Sequence, residues 1–150
     1  RNDVLVYTTP PLEKDTEVTG PVTVTLYASS SATDTDFTAK LVDVDDCGCA
    51  MNVADGIVRA KYRLPRQPGS LIQPGDVYEY TIDLWATSNV FKRGHSIRLD
   101  LSSSNFPKYD RNANTGAPIG TDAGFASALQ TVHHSSDYPS HVKLPIVPRE

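Results

Sequence analysis

An all-β sandwich of two packed sheets is the fold class this sequence predicts, on three observations. Apolar residues recur at every second position in one segment after another, the period of a strand with one face buried. Clusters of Gly, Pro, Asp and Ser separate those segments, as turns require. No segment places apolar residues at the spacing of an amphipathic helix. The pattern predicts about seven to nine strands in one domain over residues 1–150.

Taken in order, Asp3–Tyr7 is apolar at both parities, which predicts a strand covered on both faces. Thr8 to Glu17, with Pro10-Pro11, is an exposed connection. Val18 to Ala28 is a strand whose entry Gly20-Pro21 marks, with Val22, Val24 and Leu26 on one face and Thr23, Thr25 and Tyr27 on the other. Ser29 to Asp36 is a turn of hydroxyl and carboxylate side chains that can bond nearby backbone. Phe37–Val44 and Ala50–Val53, joined by Asp45-Asp46-Cys47-Gly48, form a hairpin. Val58, Ala60 and Tyr62 oppose Arg59, Lys61 and Arg63, a one-sided strand with a basic outer face. Leu64 to Gly75 is a surface link.

The two clearest strands follow. Tyr78, Tyr80, Ile82 and Leu84 alternate with Glu79, Thr81 and Asp83, and Ile97, Leu99 and Leu101 alternate with Ser96, Arg98 and Asp100. Lys92-Arg93-Gly94 turns between them. Ser102 to Pro107 ends regular pairing and opens an unusual loop. Residues 115–127 are loop, and 126–133 carry an ambiguous strand-or-turn pattern. Val142, Leu144 and Ile146 mark a last strand, at an edge because Pro145 has no N–H to donate.

Composition narrows the function. The net charge of −4, with signs interspersed, offers no basic face for nucleic acid and no polybasic membrane patch, so neither partner is expected. No apolar run approaches the roughly 20 residues of a membrane helix. Cys47 and Cys49 are too close to frame a secreted disulfide fold, which leaves the compartment unknown with the cytoplasm favoured. The start at Arg1 reads as a piece of something longer.

Catalytic, metal and cofactor sites are not expected. Nucleophilic serine chemistry needs an elbow such as Gly-x-Ser-x-Gly, with a histidine and a carboxylate, and Ser102-Ser103-Ser104 lacks flanking glycines. Asp43-x-Asp45-x-Cys47-Gly48 begins like a calcium loop but has Ala54 where the bidentate glutamate belongs. Cys47-x-Cys49 lacks the second ligand pair of a zinc site, and His133-His134 with Asp137 reads as solvated loop. Trp85 and Tyr27 fall on polar faces, where they can stack on sugar or anchor a neighbouring domain. Phe106, Tyr109, Asp110 and Arg111 offer apolar area and charged groups, either for a domain seam or for a loop packed on its own sandwich.

TSNVFKRGHSIRLDLSSSNFPKYDRNANTG, with SSSATDTDFTAKLVDV and DGIVRAKYR upstream and PSHVKLPIVPR at the end, resembles over nearly all 150 residues, with its motifs in order, the C-terminal domain of the cocaine-esterase and X-prolyl dipeptidyl-peptidase family of serine hydrolases. The resemblance implies a jelly-roll β-sandwich, galactose-binding-domain-like, excised from the C-terminus of a larger hydrolase and without its catalytic triad. The implied partner is the catalytic α/β-hydrolase domain of the same parent chain, with room for a homodimer through sheet edges. It favours Tyr27, Trp85, Phe106, Tyr109, Asp110 and Arg111 as inter-domain contacts over the alternatives, an autonomous carbohydrate-binding module or a stand-alone interaction domain.

Overall fold

A computed structural model describes residues 1–67 and 69–148. Its strands are β1 (Leu5–Thr8), β2 (Thr16–Ser30), β3 (Asp36–Val44), β4 (Ala50–Arg59), β5 (Tyr78–Phe91), β6 (Ser96–Ser102), β7 (Gln130–His133), β8 (His141–Lys143) and β9 (Ile146–Val147). The chain is an all-β sandwich of antiparallel sheets, with no α-helix among the described residues. One sheet has the order β1-β6-β3-β4. In the other, β2 is central: β5 pairs along one side, and β9, β8 and β7 share the other side in short pieces.

The alternating residues bury where the period places them. Val22, Val24, Leu26 and Ala28 of β2 and Tyr80, Ile82 and Leu84 of β5 face Phe37, Ala39 and Leu41 of β3 and Ile97 and Leu101 of β6. Each such side chain contributes roughly 1.5–3 kcal/mol by leaving water. The two long edges of the sandwich differ. On one, β4 crosses β5 so closely that a Cβ on Gly56 would lie 2.0 Å from the Asp83 carbonyl oxygen. On the other, between β1 and the β7–β8 pieces, the sheets leave a gap.

Several expectations need correction. Leu5, Val6 and Tyr7 are 46%, 53% and 39% exposed, so the doubly apolar strand is an edge with neither face covered in this chain. β2 begins at Thr16 and runs straight through Gly20-Pro21, because a register shift against β5 between Pro21 and Thr23 accommodates the proline. β4 continues through Ala54-Asp55-Gly56 to Arg59, after which Ala60–Tyr62 winds into a 3-10 turn. The expected basic outer face therefore does not form: Lys61 is buried, and Arg59 turns to a carboxylate. β5 also extends past Leu84 to Phe91, and the final strand is split at Leu144-Pro145 into β8 and β9.

Candidate functional site

The motif-bearing segments meet in one buried polar cluster. Arg59, at the end of β4, donates from Nε and Nη2 to the two Asp36 oxygens at 2.8 and 2.9 Å, and its Nη2 reaches Asp110 at 3.2 Å. Asn112 Nδ2 donates to Asp36 at 2.8 Å and Asp34 at 3.1 Å. The Lys61 backbone N–H donates to Asp34 at 3.0 Å, its ammonium lies 3.5 Å from the same carboxylate, and Nζ donates to the Ala117 carbonyl at 2.9 Å. Asp34 and Asp36 are each 1% exposed, so these charges persist only because they are paired and hydrogen-bonded. The hydrogen bond to the Asp36 carboxylate raises the Arg59 pKa further, outweighing the partial burial that works to lower it.

This cluster fixes the long loop after β6. Lys108 and Asn105 both donate to Asp55 on β4, and Ser102 shares a hydrogen bond of 2.7 Å with Thr38. Thr38 and Asp55 lie at strand positions out of phase with the core residues Ala39 and Gly56, so the loop crosses the outer face of the β1-β6-β3-β4 sheet. On this loop the Arg111 guanidinium lies 4.7 Å from the centroid of the Phe106 ring and 5.5 Å from that of Phe125. Phe106 is 58% exposed and Phe125 69%.

The six residues singled out in the sequence do not share a face. Phe106, Tyr109, Asp110 and Arg111 ride the loop, with Asp110 also held by Arg59. Tyr27 lies on the outer face of the opposite sheet, where its hydroxyl donates to Glu79 at 2.8 Å and its ring meets Tyr138. Trp85 is 71% exposed on the same sheet, with φ 64° at the point where Leu84 and Trp85 together oppose Val22. Tyr27 pairs with Glu79, six positions from Trp85 along β5, a separation of roughly 20 Å. The two rings thus form no common platform for a sugar. The sequence does not single out Asp34, Asp36, Arg59, Lys61 and Asp55, although TDTD and VRAK are unusually polar sequence beside strands; Asn112, which the sequence offers for a domain seam, instead bonds Asp34 and Asp36 of its own sandwich.

Two adjoining cavities of about 460 and 320 Å³ occupy the gap between the sheets. Leu101 and Val132 line both; Leu5 and Phe37 face the first, and Tyr7 and Val142 the second. Core residues Phe37 and Leu101 form the floor of the first, whose sides are polar and loop residues including Asp3, Ser103, Arg111, Asn112 and Phe125, whereas the second is walled mainly by apolar residues such as Val24, Leu41 and Ile97.

Among the described residues no serine meets a histidine that a carboxylate orients. Ser102 bonds Thr38 and the Ser104 carbonyl, and His95 Nδ1 lies 2.8 Å from Asp43, far along the strand from those serines. Ser29 Oγ lies 3.3 Å from His133 Nε2, but that ring packs on Tyr138 and no carboxylate among the described residues orients it. Asp45, Asp46 and Cys47 cluster at the β3–β4 turn, where Asp46 and then Asp45 raise the Cys47 pKa and so keep the thiol protonated.

Comparison with known proteins agrees with these features. The family profile for the X-Pro dipeptidyl-peptidase C-terminal non-catalytic domain matches residues 1–143. The chain is 51% identical over 151 aligned residues to the cocaine esterase of Rhodococcus sp. (strain MB1 Bresler), covering 99% of this chain and 26% of that protein. Its fold is similar to an aminopeptidase from a marine sediment archaeon, Thaumarchaeota archaeon (TM-score 0.93, 32% identity, 99% of this chain and 26% of that one). It is also similar to an α-amino acid ester hydrolase (TM-score 0.91, 30% identity, 98% and 26%). The chain thus spans about a quarter of the length of these relatives. On its sequence and its fold together, the chain belongs to the family of X-Pro dipeptidyl-peptidase C-terminal non-catalytic domains.

Proposed function

We propose that this domain is one part of a longer serine hydrolase, an esterase, acylase or X-Pro dipeptidyl-peptidase, and that it packs on the catalytic domain and shapes the rim of its pocket. The observation that carries the reading is the apolar crest on the loop over the first sheet. Phe106 and Phe125 are both exposed and both within cation–π range of Arg111, on a loop whose base is tied to the buried Asp36–Arg59 pair. A rigid exposed aromatic pair of this kind anchors an interface at low entropic cost. Trp85 and Tyr27, on the other layer, are proposed as contacts to a different part of the same neighbour.

The test is thermal unfolding of the full-length protein with Phe106→Ser and Phe125→Ser together. Both rings are exposed, so the domain's own core is untouched. The intact protein is expected to melt in one transition and the double variant in two, with altered KM toward bulky substrates. A single unshifted transition would refute the packing.

A homodimer through sheet edges belongs to the same proposal. The distal half of β4 is the edge offered for it, since Ala50, Met51 and Asn52 are exposed and Met51 is 69% so. Sedimentation of the full-length protein is expected to give twice the chain mass.

A further inference from the structure

Cys47 and Cys49 lack, in the sequence, the second ligand pair of a zinc site, and the fold supplies one. β3 and β4 pair as far as Val44 and Ala50, and backbone bonds close the turn beyond them: the Asp45 N–H donates to the Cys49 carbonyl and the Gly48 N–H to the Asp45 carbonyl, both at 3.0 Å. The Cys49 N–H draws the Asp45 carboxylate into the same turn, at 2.8 Å. One oxygen each from Asp45 and Asp46 and the Cys47 sulfur then lie within 4.8 Å of one another. Donors held by a single tetrahedral zinc at about 2.0–2.3 Å stand roughly 3.3–3.8 Å apart, so closing on an ion takes about 1 Å of side-chain movement.

Cys49 supplies the fourth donor. It stands directly across the ladder from Asp45, and residues so opposed put their Cβ atoms roughly 4.5–5.5 Å apart on one face. Both thiols are exposed and neither is in a disulfide. Gly48 between them has φ 83°, and a Cβ there would meet nothing within 4 Å, which leaves the tip of the hairpin open to an ion from solvent. Asp43, which the calcium-loop spacing would recruit, is instead bonded to His95 at 2.8 Å.

The geometry points to a cation site at this hairpin tip, where Cys47, Cys49, Asp45 and Asp46 together hold one borderline-soft divalent cation of the zinc class. Thiolates select such an ion over calcium or magnesium, which take oxygen ligands. The two carboxylates bring the site to as many negative donors as a four-thiolate zinc site has. Each thiol releases its proton to solvent on coordination. The turn is formed before any ion arrives, so binding orders side chains alone. The site sits at the opposite end of β3 from Asp36, roughly 30 Å along the strand, and stands independently of the loop proposed to pack on a catalytic domain.

Titration of the reduced, chelator-treated full-length protein with Cd2+ tests this, because cadmium–thiolate bonds absorb in the ultraviolet. The expected result is a charge-transfer band that saturates at one cation per chain, is lost when Cys47→Ser and Cys49→Ser are combined, and yields to Zn2+ but not to excess Ca2+. Asp46→Asn leaves both thiols and the Asp45–Cys49 hydrogen bond in place and is expected to weaken binding at least about tenfold, since loss of even an outer-shell partner costs that much. All three substituted side chains are exposed on a turn, so the fold is not at stake. No band, a band unchanged in the double cysteine variant, or displacement by Ca2+ would overturn the site. Full-strength binding by Asp46→Asn would overturn it in favour of a bare dithiol, and saturation at one cation per two chains in favour of an ion shared between copies.

Discussion

Gly56 is the residue on which closure of the sandwich depends, because only a missing Cβ lets β4 pass the β5 backbone at Asp83. The obstacle is main chain on both sides and cannot rotate aside. Gly56→Ala is therefore expected to cost about 3 kcal/mol or more, at the upper end of overpacking penalties, read as a fall in the urea midpoint with no change in slope. Tyr80 presents a different defect: its ring packs on Phe37, but its hydroxyl is buried without a hydrogen-bond partner. Burial pushes its pKa up to about 12, from an ordinary 10.0. An unfolded tyrosine gives up its proton near the lower value and the folded one near the higher. Between them the unfolded chain binds fewer protons, so stability present below the lower value is lost as pH rises across that window. Tyr80→Phe is expected to be neutral or stabilising by up to ~1 kcal/mol at pH 7 and to flatten the alkaline loss, measured by denaturant titration at several pH values.

At the scale of elements, burial decides which ion pairs hold the loop after β6. Arg59 retains 12% side-chain exposure and Asp36 1%, whereas Asp110 retains 60%. Arg59→Ala strands a buried carboxylate and is expected to cost about 3–5 kcal/mol and to speed proteolysis between residues 103 and 129. Asp110→Ala removes a solvent-screened partner and should cost under about 1 kcal/mol. The same contrast explains what the sequence showed and what it hid. Strands with one wet face, such as β5 at Tyr78–Leu84 and β6, were legible because alternation records burial directly. Arg59 and Lys61 were not, because alternation cannot register a 3-10 turn that aims two cations at carboxylates more than twenty positions earlier. β1 was read as covered on both faces because apolar parity reports what a strand is built to bury, and in this chain nothing covers it. Asp34, Asp36 and Asn112 stood in plain view as polar residues, but their meeting depends on a long connection whose path no local pattern encodes.

For the molecule as a whole, the asymmetry of its two long edges has a measurable consequence. One edge is sealed by backbone against backbone at Gly56; the other exposes Leu101, Val132 and Leu5 to solvent across cavities of about 460 and 320 Å³. Apolar surface gathered in an open groove is where a hydrophobic probe binds. The 150-residue chain alone should therefore bind a hydrophobic dye such as ANS while keeping the near-ultraviolet dichroism of its packed aromatics. A molten globule binds the dye but loses that signal, so the two readouts together distinguish an open edge on a rigid fold from loose packing throughout. A charge in the cleft wall, as in Val132→Asp, should abolish most of the fluorescence gain. If the proposed packing on the catalytic domain covers this edge, the full-length protein should show little dye binding at all. Strong binding to the full-length protein, quenched equally by Val132→Asp, would mean that the edge stays open in the assembled molecule and that the cleft serves a ligand other than its own chain.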